Sequence, residues 1–350
     1  MTGHTGFKGS WLTSWLSLMG AQVHGLALDI PTNPSLFSDL GGEANQATTW
    51  LDVCDTESVE ELIRAFKPNY IFHLAAQPLV VQSYLDPRQT WHSNTLGTVS
   101  LLEAVRRSKL TDVVVIMVTS DKVYKNNEWV WGYRESDELG GYDPYSASKA
   151  AAELAIRSYS LGGLLDESTV VSVRAGNVVG GGDWAAGRVV PDLVRAWLSE
   201  KTMLLRNPNA TRPWQHVLEP LGGYLLSAVA ARKGILKTGE SLNFGPSEVA
   251  SKTVGEVVEG ISQRLSPTKS IKVQLEQTPI RESGLLALSS EKAKSLLGWY
   301  PVLNFEKTLD WISDWYSQHQ STSSQSLVSE QIQEYQSLLE ASISWGQKCK

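Results

Sequence analysis

Tyr145 and Lys149 are the residues whose types and spacing give the clearest chemical signal in this chain. On a helix, positions i and i+4 share one face, so the phenol and the ammonium would lie side by side. A neighbouring ammonium favours the ionised phenol, which can take a proton from a carbinol while hydride leaves the same carbon. The spacing alone is common by chance, and an ordinary surface helix pair is the alternative.

A hydroxyl, a carboxylate and an amine follow one another upstream, at Ser120, Asp121 and Lys122. They end an apolar run, and the carboxyl ends of strands are where open α/β sheets bind ligands. A solvated loop after the strand is the alternative for Asp121 and Lys122. Together the two segments predict that a carbinol is oxidised and that further proton transfers follow on the product. A simple dehydrogenase would need only Tyr145 and Lys149.

A glycine-rich turn, GHTGFKG at 3–9, leads into a helical pattern near the start of the chain. Gly3, Gly6 and Gly9 would let backbone N–H groups approach a pyrophosphate at the helix N-terminus, where the dipole favours negative charge. A glycine trio is a weak signal when it stands alone, because an ordinary tight loop has the same composition. The acidic residues that follow decide between the two interpretations.

Asp29 closes the next predicted strand, 20 residues after Gly9. A carboxylate there can hold the adenosine ribose hydroxyls and repel a 2′-phosphate, which favours NAD over NADP. Asp52, after the segment 48–51, could reach the adenine amino group. A helix N-cap role for Asp52 or Asp55 is an open alternative.

Strand-like and helix-like segments alternate along the first half of the chain. We predict strands at 21–28, 70–74, 112–118 and 169–173, and helices at 10–19, 57–66, 97–107 and 145–159. This alternation predicts an α/β fold of the Rossmann type, a doubly wound, mostly parallel sheet. After Gly176 the pattern loosens into shorter elements, which suits a smaller α/β substrate-binding lobe.

The domain organisation follows from the same pattern. We expect an NAD-binding Rossmann domain at 1–175, to which 211–245 returns, a substrate-binding lobe at 176–210 and 246–316, and a linker with a C-terminal helix at 317–350. The apolar first strand that should precede the glycine turn is absent. We therefore expect a truncated first strand, with roughly 6–12 further residues upstream of Met1 in the functional protein.

Composition narrows the function classes. A net charge of −6 and a pI near 5.6 argue against nucleic acid or an anionic membrane as partner. The two cysteines, Cys54 and Cys349, are far apart, which favours a reducing, cytoplasmic compartment without disulfides. Neither the cysteines nor the histidines have metal-ligand spacing, so we expect no metal. No run of about 18 apolar residues predicts a membrane span.

These features together resemble the extended short-chain dehydrogenase/reductase family, and within it the sugar-nucleotide 4,6-dehydratases. The resemblance covers nearly the whole chain, through TGHTGFKGSW at 2–11, HLAAQP at 73–78, TSDKVY at 119–124, EWVWGYR at 128–134, GYDPYS at 141–146, RAGNV at 174–178, GGGDW at 180–184 and RPWQHV at 212–217. The glycine turn and the Tyr-Lys pair are marks of the broad superfamily. The Asp-Lys pair and the Trp-rich stretch are more specific.

The resemblance implies roles for the catalytic candidates. Tyr145 would take the proton of the sugar 4-hydroxyl while hydride passes from C4 to NAD, with Ser120 sharing the hydrogen bond and Lys149 holding the nicotinamide ribose. The 4-ketone would acidify the C5 proton, and Asp121 would protonate the departing 6-hydroxyl. Relatives that act on dTDP-glucose have Glu where this chain has Lys122, so lysine as the C5 base is the less secure assignment. The implied substrate is CDP-glucose, in deoxysugar biosynthesis.

The resemblance also implies binding residues. It assigns further cofactor contacts to Thr5, Phe7, Val53, Leu74, Ala75 and Ala76, and substrate contacts to Gln77, Asn177, Arg188 and Arg212. Guanidinium groups suit bidentate phosphate binding, although either arginine could instead form a surface salt bridge. The segment 287–290 departs from the family pattern, which leaves Arg281 and Glu282 without a secure role.

Three functional hypotheses remain open. All three have NAD as the cofactor, and the first two have a small-molecule nucleotide sugar as the partner. The leading hypothesis is a 4,6-dehydratase of CDP-glucose that forms a homo-oligomer, dimer or tetramer. The second is a 4,6-dehydratase or a 4-epimerase of another sugar nucleotide, although epimerases lack the Asp-Lys pair. The third is an inactive NAD-binding protein, which the missing first strand would favour.

Overall fold

The computed structural model describes residues 1–246, 252–266, 271–275 and 285–348, with side chains up to residue 342. Arg281, Glu282 and Cys349 lie outside the described residues. Among the described helices, none is both long enough and apolar enough to cross a bilayer.

The strands are short, and the longest are the buried ones. They are β1 Gly25–Ala27, β2 Thr48–Trp50, β3 Tyr70–His73, β4 Val113–Val118, β5 Ser168–Ala175, β6 Val178–Val179, β7 Met203–Leu205, β8 Thr211–Arg212, β9 Gln215–His216, β10 Ser241–Phe244, β11 Lys252–Thr253 and β12 Val273–Leu275.

A parallel sheet organises the first 244 residues. Four strands pair in the order β10, β5, β4 and β3, and β1 pairs with β2. Thr2 bridges the two groups, because it forms parallel bridges with both Leu26 in β1 and His73 in β3. The Leu26 amide also donates to the carbonyl of Met1 at 2.8 Å. Met1 and Thr2 therefore lie between β1 and β3, at the position predicted for the first strand, and the expectation of residues upstream of Met1 stays a prediction.

The central strand β4 has the sequence VVVIMV, and all six residues are buried. Alternate side chains enter different cores, because Val114, Ile116 and Val118 pack on one face of the sheet and Val113, Val115 and Met117 on the other. Burial on both faces is what a doubly wound parallel sheet requires. The predicted α/β fold is confirmed.

Helices connect the strands and cover both faces. They are α1 Phe7–Leu18, α2 Leu36–Asp39, α3 Thr56–Phe66, α4 Val80–Leu85, α5 Pro87–Trp91, α6 Gly97–Ser108, α7 Pro144–Leu161, α8 Val189–Ser199, α9 Leu218–Arg232, α10 Val254–Leu265, α11 Glu291–Leu297, α12 Phe305–Gln318 and α13 Ser324–Lys348. A π-helical turn at His92–Leu96 and 3-10 turns at Gly42–Ala44 and Asp121–Val123 complete the helical structure of the described residues.

Capping chemistry explains where the longer helices begin. Asp143 caps α7 by accepting the Ser146 amide at 2.9 Å, and Pro144 fits the first helical turn, where its missing N–H costs nothing. Thr253 and Glu256 form a reciprocal capping box at the start of α10. Each of these helices thus begins where the local sequence supplies an acceptor.

Several predicted boundaries differ from the structure. The strand expected at 21–28 is reduced to Gly25–Ala27, and α1 begins at Phe7 rather than at residue 10. The linker expected from residue 317 is only the interval between α12 and α13. Three strand pairs lie outside the main sheet: β6 with β9 and β7 with β12 are parallel, and β8 with β11 is antiparallel. The proposed division into domains stays a prediction.

Candidate active site

The glycine turn leaves the start of α1 open to an anion. Gly3 has φ +70°, and a Cβ there would lie 2.6 Å from the Ala75 amide nitrogen; a Cβ on Gly9 would lie 2.2 Å from the Gly3 carbonyl oxygen. A Cβ on Gly6 would have no atom closer than 3.5 Å. Gly6 is also the N-cap of α1, with no side-chain cap among the described residues and no acidic residue in the first turn. Open amides at a helix N-terminus fit the pyrophosphate of NAD.

Asp29 lies beside this turn, two residues beyond β1. The Thr5 hydroxyl donates to the Asp29 carbonyl at 2.7 Å, and the Asp29 carboxylate is exposed. The carboxylate is therefore accessible to a ligand, and its contact with the adenosine ribose stays a prediction. Phe7 follows Gly6 as the first residue of α1.

Asp52 and Asp55 have different local roles. Asp55 is the N-cap of α3 and accepts the Ser58 amide at 3.2 Å, so the capping alternative applies to Asp55. Asp52 accepts the Cys54 amide at 2.9 Å in the turn after β2. Val53 lies between them and is buried.

The ends of β3 and of the N-terminal segment meet at Leu74, Ala75 and Ala76. The amides of Leu74 and Ala75 both donate to the Thr2 hydroxyl at 3.2 Å. Ala75 is the residue whose backbone lies against Gly3, and Ala76 continues this segment. The predicted cofactor residues therefore gather along one edge of the parallel sheet, at the carboxyl ends of its strands.

Ser120 and Asp121 follow β4 at the same edge. The Ser120 hydroxyl donates to Asp121 Oδ1 at 3.0 Å and accepts the Lys122 amide at 3.2 Å. Asp121 is only 2% exposed, and its Oδ2 has no hydrogen-bond partner among the described residues. A buried carboxyl oxygen without a donor is costly, so this atom fits a ligand hydroxyl that donates to it.

Lys122 follows Asp121 and lines a cavity. Together with Tyr84, Tyr142 and Asp143 it lines a cavity of about 590 Å³. Asp143 caps α7, so this cavity adjoins the helix that carries Tyr145. The solvated-loop alternative thus fails for Asp121, which is buried, while Lys122 lies at a cavity wall.

Tyr145 and Lys149 are both buried in the first turns of α7. Burial raises the pKa of Tyr145 to about 12, and the hydrogen bond with Ser120 opposes this rise. Burial lowers the pKa of Lys149 to about 8, against the attraction of Glu153. We expected an ammonium to favour the ionised phenol, but here burial outweighs charge, and the cation that lowers the pKa of Tyr145 is Arg188.

Arg188 joins this centre from the start of α8. Its guanidinium donates to Asp183 Oδ2 at 3.0 Å and remains partly exposed. Arg188 thus forms an ion pair with the buried Asp183, and its role in phosphate binding stays a prediction. Only Nη1 of Arg188 is bonded to Asp183 among the described contacts, so the other N–H groups of the guanidinium could donate to an additional anion.

The other predicted substrate residues are spread more widely. The Gln77 side chain donates to Thr90 at 2.9 Å and accepts the Leu79 amide, so it already has protein partners. Asn177 lies between β5 and β6, and its carbonyl accepts the Gln215 amide at 3.2 Å. Arg212 on β8 is buried and donates to its neighbour's carbonyl, Thr211 O, at 2.9 Å.

Sequence reasoning missed Lys8. Its ammonium lies 3.5 Å from the hydroxyl of the buried Tyr224. Burial and the positive charge of Arg188 lower the pKa of Lys8 to about 8, while Asp121 raises it. Lys8 therefore belongs to the same electrostatic cluster as Asp121 and Arg188. Its position inside the glycine turn was the available signal, because a lysine there is next to the helix N-terminus.

Asp52, Cys54 and His92 also come together, with ligand atoms all within 4.8 Å of one another. The Cys54 sulfur lies 3.5 Å from His92 Nδ1. Burial and the Asp52 carboxylate raise the pKa of the Cys54 thiol to about 12. The absence of a metal stays a prediction.

Comparison with known proteins gives a consistent result. The profile of the GDP-mannose 4,6 dehydratase family matches residues 1–311. A CDP-glucose 4,6-dehydratase of Salmonella typhimurium is 45% identical over 90% of this chain and 89% of its own length. A dTDP-glucose 4,6-dehydratase of Xanthomonas campestris is 26% identical over 92% of this chain and 93% of its own length.

Solved structures share the fold. A dTDP-glucose 4,6-dehydratase of Bacillus anthracis in complex with NAD has a TM-score of 0.75 at 25% identity, and covers 91% of this chain and 96% of its own. A UDP-glucose 4-epimerase of Thermus thermophilus in complex with NAD has a TM-score of 0.77 at 25% identity, and covers 90% of this chain and 97% of its own.

Proposed function

The chain belongs to the GDP-mannose 4,6-dehydratase family, and we propose that it converts CDP-glucose to CDP-4-keto-6-deoxyglucose and water with bound NAD. The observation on which the proposal depends is the buried Asp121 carboxyl, which hydrogen-bonds Ser120 and has an oxygen without a partner among the described residues. An acid is needed only if a hydroxyl must leave. The 45% identity to the Salmonella typhimurium CDP-glucose enzyme supports the choice of nucleotide.

The glycine turn, with Gly3, Gly6 and Gly9, would hold the NAD pyrophosphate at the start of α1, while Asp29 binds the adenosine ribose. Thr5, Phe7, Val53, Leu74, Ala75 and Ala76 would line the same site, and Asp52 would reach the adenine. Bound NAD supplies a hydride acceptor for C4 and a hydride donor for C6, so it is unchanged overall. Lys149 would hold the nicotinamide ribose.

Tyr145 would begin the reaction by accepting the proton of the 4-hydroxyl, through the hydrogen bond it shares with Ser120. Because burial raises the pKa of Tyr145 to about 12, the phenol holds that proton firmly once it has accepted it. The positive charges of Arg188 and of the bound nicotinamide would favour the ionised phenol in the reactive complex.

Elimination would follow on the 4-keto sugar. The C5 proton, now acidified by the ketone, would pass to Lys122, and the C6–O bond would break as Asp121 protonates the departing hydroxyl to give water. Hydride would return to C6 and the proton on Lys122 to C5, which completes the product. The proton that Tyr145 accepted would replace the one that Asp121 gave up, so the site returns to its starting state and only water is lost.

Cationic and amide side chains would hold the substrate diphosphate and sugar. Arg188 is the principal candidate, because it lies within electrostatic reach of Tyr145 and presents a guanidinium that is partly exposed. Arg212, Asn177 and Gln77 would complete the substrate site.

The test is incubation of purified protein, with catalytic NAD, against CDP-, UDP-, dTDP- and GDP-linked glucose. We expect a product lighter by one water, only with CDP-glucose, and no accumulation of NADH. A product of unchanged mass with an inverted 4-hydroxyl would indicate the 4-epimerase alternative. Stoichiometric NADH would indicate a dehydrogenase, and inertness towards every substrate an inactive NAD-binding protein.

We also propose a homo-oligomer that works in the cytoplasm, where NAD and nucleotide sugars are made. The helices from α4 to α7 pack on one another and carry exposed apolar side chains at Leu85, Trp91, Leu96 and Leu154. Exposed apolar surface can mark an interaction site, and a second copy of the chain is the commonest partner. Leu154→Glu should lower the mass measured by light scattering, whereas Ile235→Glu, at another exposed apolar position, should not. Equal masses for both variants would contradict this interface.

A further inference from the structure

Glu153 is a fully buried carboxylate on α7, one helical turn after Lys149. It accepts four hydrogen bonds: from the Thr119 hydroxyl at 2.5 Å, from Ser172 at 2.9 Å, and from Arg174 Nε and Nη2 at 2.9 and 2.7 Å. A carboxylate that accepts four donors is ionised, and each donor fixes its orientation. Glu153 has no part in the reaction steps proposed above.

One of the four donors leads directly to the reaction centre. Thr119 immediately precedes Ser120 and Asp121, and its amide donates to the Val173 carbonyl at 2.9 Å. The backbone bond to β5 and the side-chain bond to Glu153 therefore hold Thr119 from two directions. A 3-10 turn at Asp121–Val123 begins two residues after Thr119. The position of Asp121 therefore depends on how firmly Thr119 is held.

The second connection is to Lys149. Lys8 on α1 and His73 on β3 lie within electrostatic reach of the Lys149 ammonium, and burial lowers the pKa of His73 to about 3, so that His73 is neutral. Arg174 on β5 forms an ion pair with Glu153. Glu153 is thus the carboxylate that opposes burial and raises the pKa of Lys149.

We propose that Glu153 is a positioning residue that joins the two halves of the reaction centre, because it bonds the end of β4 that presents Ser120 and Asp121 and lies one helical turn from Lys149 on α7. The inference rests on the proposed function, in which Tyr145 and Lys149 serve oxidation and Asp121 serves elimination. Arg174 forms an ion pair with Glu153 through two hydrogen bonds, which compensates for the burial of the carboxylate.

The first test measures the charge of Lys149 directly. Competitive acetylation across pH 6–11, with the Lys149 peptide quantified by mass spectrometry, gives its pKa without any need for turnover. In Glu153→Gln this pKa should fall by about one pH unit or more, the usual effect of a close opposite charge. Lys149 is charged below its pKa, so the alkaline limb of single-turnover NADH formation should move to lower pH by a similar amount. Glu153→Asp, which keeps the charge, should restore part of the shift.

A second pair of variants applies even if Glu153→Gln does not fold. Thr119→Val and Ser172→Ala each remove one hydroxyl from Glu153, but only Thr119 adjoins Ser120 and Asp121. We expect Thr119→Val to slow dehydration by roughly tenfold or more, because small misplacements of reacting groups are costly, and Ser172→Ala to leave it nearly unchanged.

The outcomes separate the two proposals. An unchanged Lys149 pKa in Glu153→Gln, or equal rates in Thr119→Val and Ser172→Ala, would overturn the role of Glu153. A wild-type protein that binds NAD but forms no 4-keto product would instead overturn the proposed function, and the acetylation result for Lys149 would still stand on its own.

Discussion

Asp121 and Ser120 share one hydrogen bond at the end of β4, yet the chemistry proposed for the site assigns them to different steps. Ser120 also bonds Tyr145, which takes part in oxidation. Asp121 Oδ2, which has no hydrogen-bond partner among the described residues, is the atom proposed to act in elimination. A variant of Asp121 can therefore separate the two steps, because it leaves the Tyr145 side of the network intact.

Asp121→Asn keeps the shape of the side chain but removes the proton donor for the leaving hydroxyl. Dehydration should fall by roughly 10²-fold or more, the usual effect of losing a positioned acid. NADH should still form in a single turnover and should accumulate, as measured by absorbance after rapid mixing. Tyr145→Phe is the matched control and should abolish NADH formation. Equal loss of NADH in both variants would contradict this division of roles.

Two lysines are candidates for the C5 base. Lys122 lines the cavity beside α7, while Lys8 lies within electrostatic reach of Asp121 and Arg188 and has a pKa lowered by burial to about 8. We expect Lys122→Met to lose exchange of the C5 proton with solvent deuterium in the bound sugar, measured by mass spectrometry, while NADH formation in a single turnover persists. Retained exchange in Lys122→Met, combined with its loss in Lys8→Met, would assign the base to Lys8.

At the scale of the element, Gly6 and Gly9 meet different requirements where the glycine turn joins α1. Gly9 permits the close approach of the helix to the turn, since a Cβ would lie 2.2 Å from the Gly3 carbonyl. Gly6 has φ −76°, which any residue adopts, and open space around its missing Cβ. Gly9 thus serves packing, and Gly6 leaves space for the ligand.

Gly6→Ala and Gly9→Ala should therefore fail in different ways. Gly6→Ala should leave the free energy of unfolding within about 0.5 kcal/mol of wild type and weaken NAD binding by roughly tenfold or more. Gly9→Ala should destabilise the fold by about 1–3 kcal/mol or more through overpacking. Urea unfolding and calorimetric titration with NAD check both. Equal destabilisation by the two variants would show that Gly6 is also a packing residue.

The elements also show what could be predicted from sequence. The apolar run of β4 and the capped start of α7 were predicted within one residue at the end that presents the site, because their signals are local. Strand β1 was predicted five residues too long, since Ala21 and Gln22 are exposed and pair with nothing in the described sheet. The links of Glu153 to Arg174 and of Lys8 to Tyr224 span 21 and 216 residues, and no local pattern indicates them.

At the scale of the whole molecule, Glu219 ties three distant segments together. It lies on α9 and is buried, and its Oε1 accepts the amides of Val302 and Leu303 at 2.8 and 2.6 Å. Its Oε2 accepts the hydroxyl of Tyr335 on α13 at 2.9 Å. The Glu219 side chain thus connects α13 to α9, which packs on β4 and β5. Burial raises the pKa of Glu219 to about 7.

The stability of the protein should accordingly depend on pH through Glu219. A carboxyl whose folded pKa is raised contributes stability that is fully present below about pH 4.5 and is lost as pH rises through about 7. Glu219→Gln keeps acceptors for both amides and offers an N–H to Tyr335, but it cannot ionise. Between pH 5 and pH 8 the variant should gain stability relative to wild type, by up to about 3 kcal/mol.

Urea unfolding of wild type and Glu219→Gln at the two pH values measures that relative gain, because contributions of all other titrating groups cancel in the difference. Glu340→Gln is the control, since Glu340 is exposed on the same helix as Tyr335. Its stability relative to wild type should be the same at pH 5 and pH 8. If the difference for Glu219→Gln is also independent of pH, Glu219 is ionised throughout, and the three hydrogen bonds outweigh the effect of burial on its pKa.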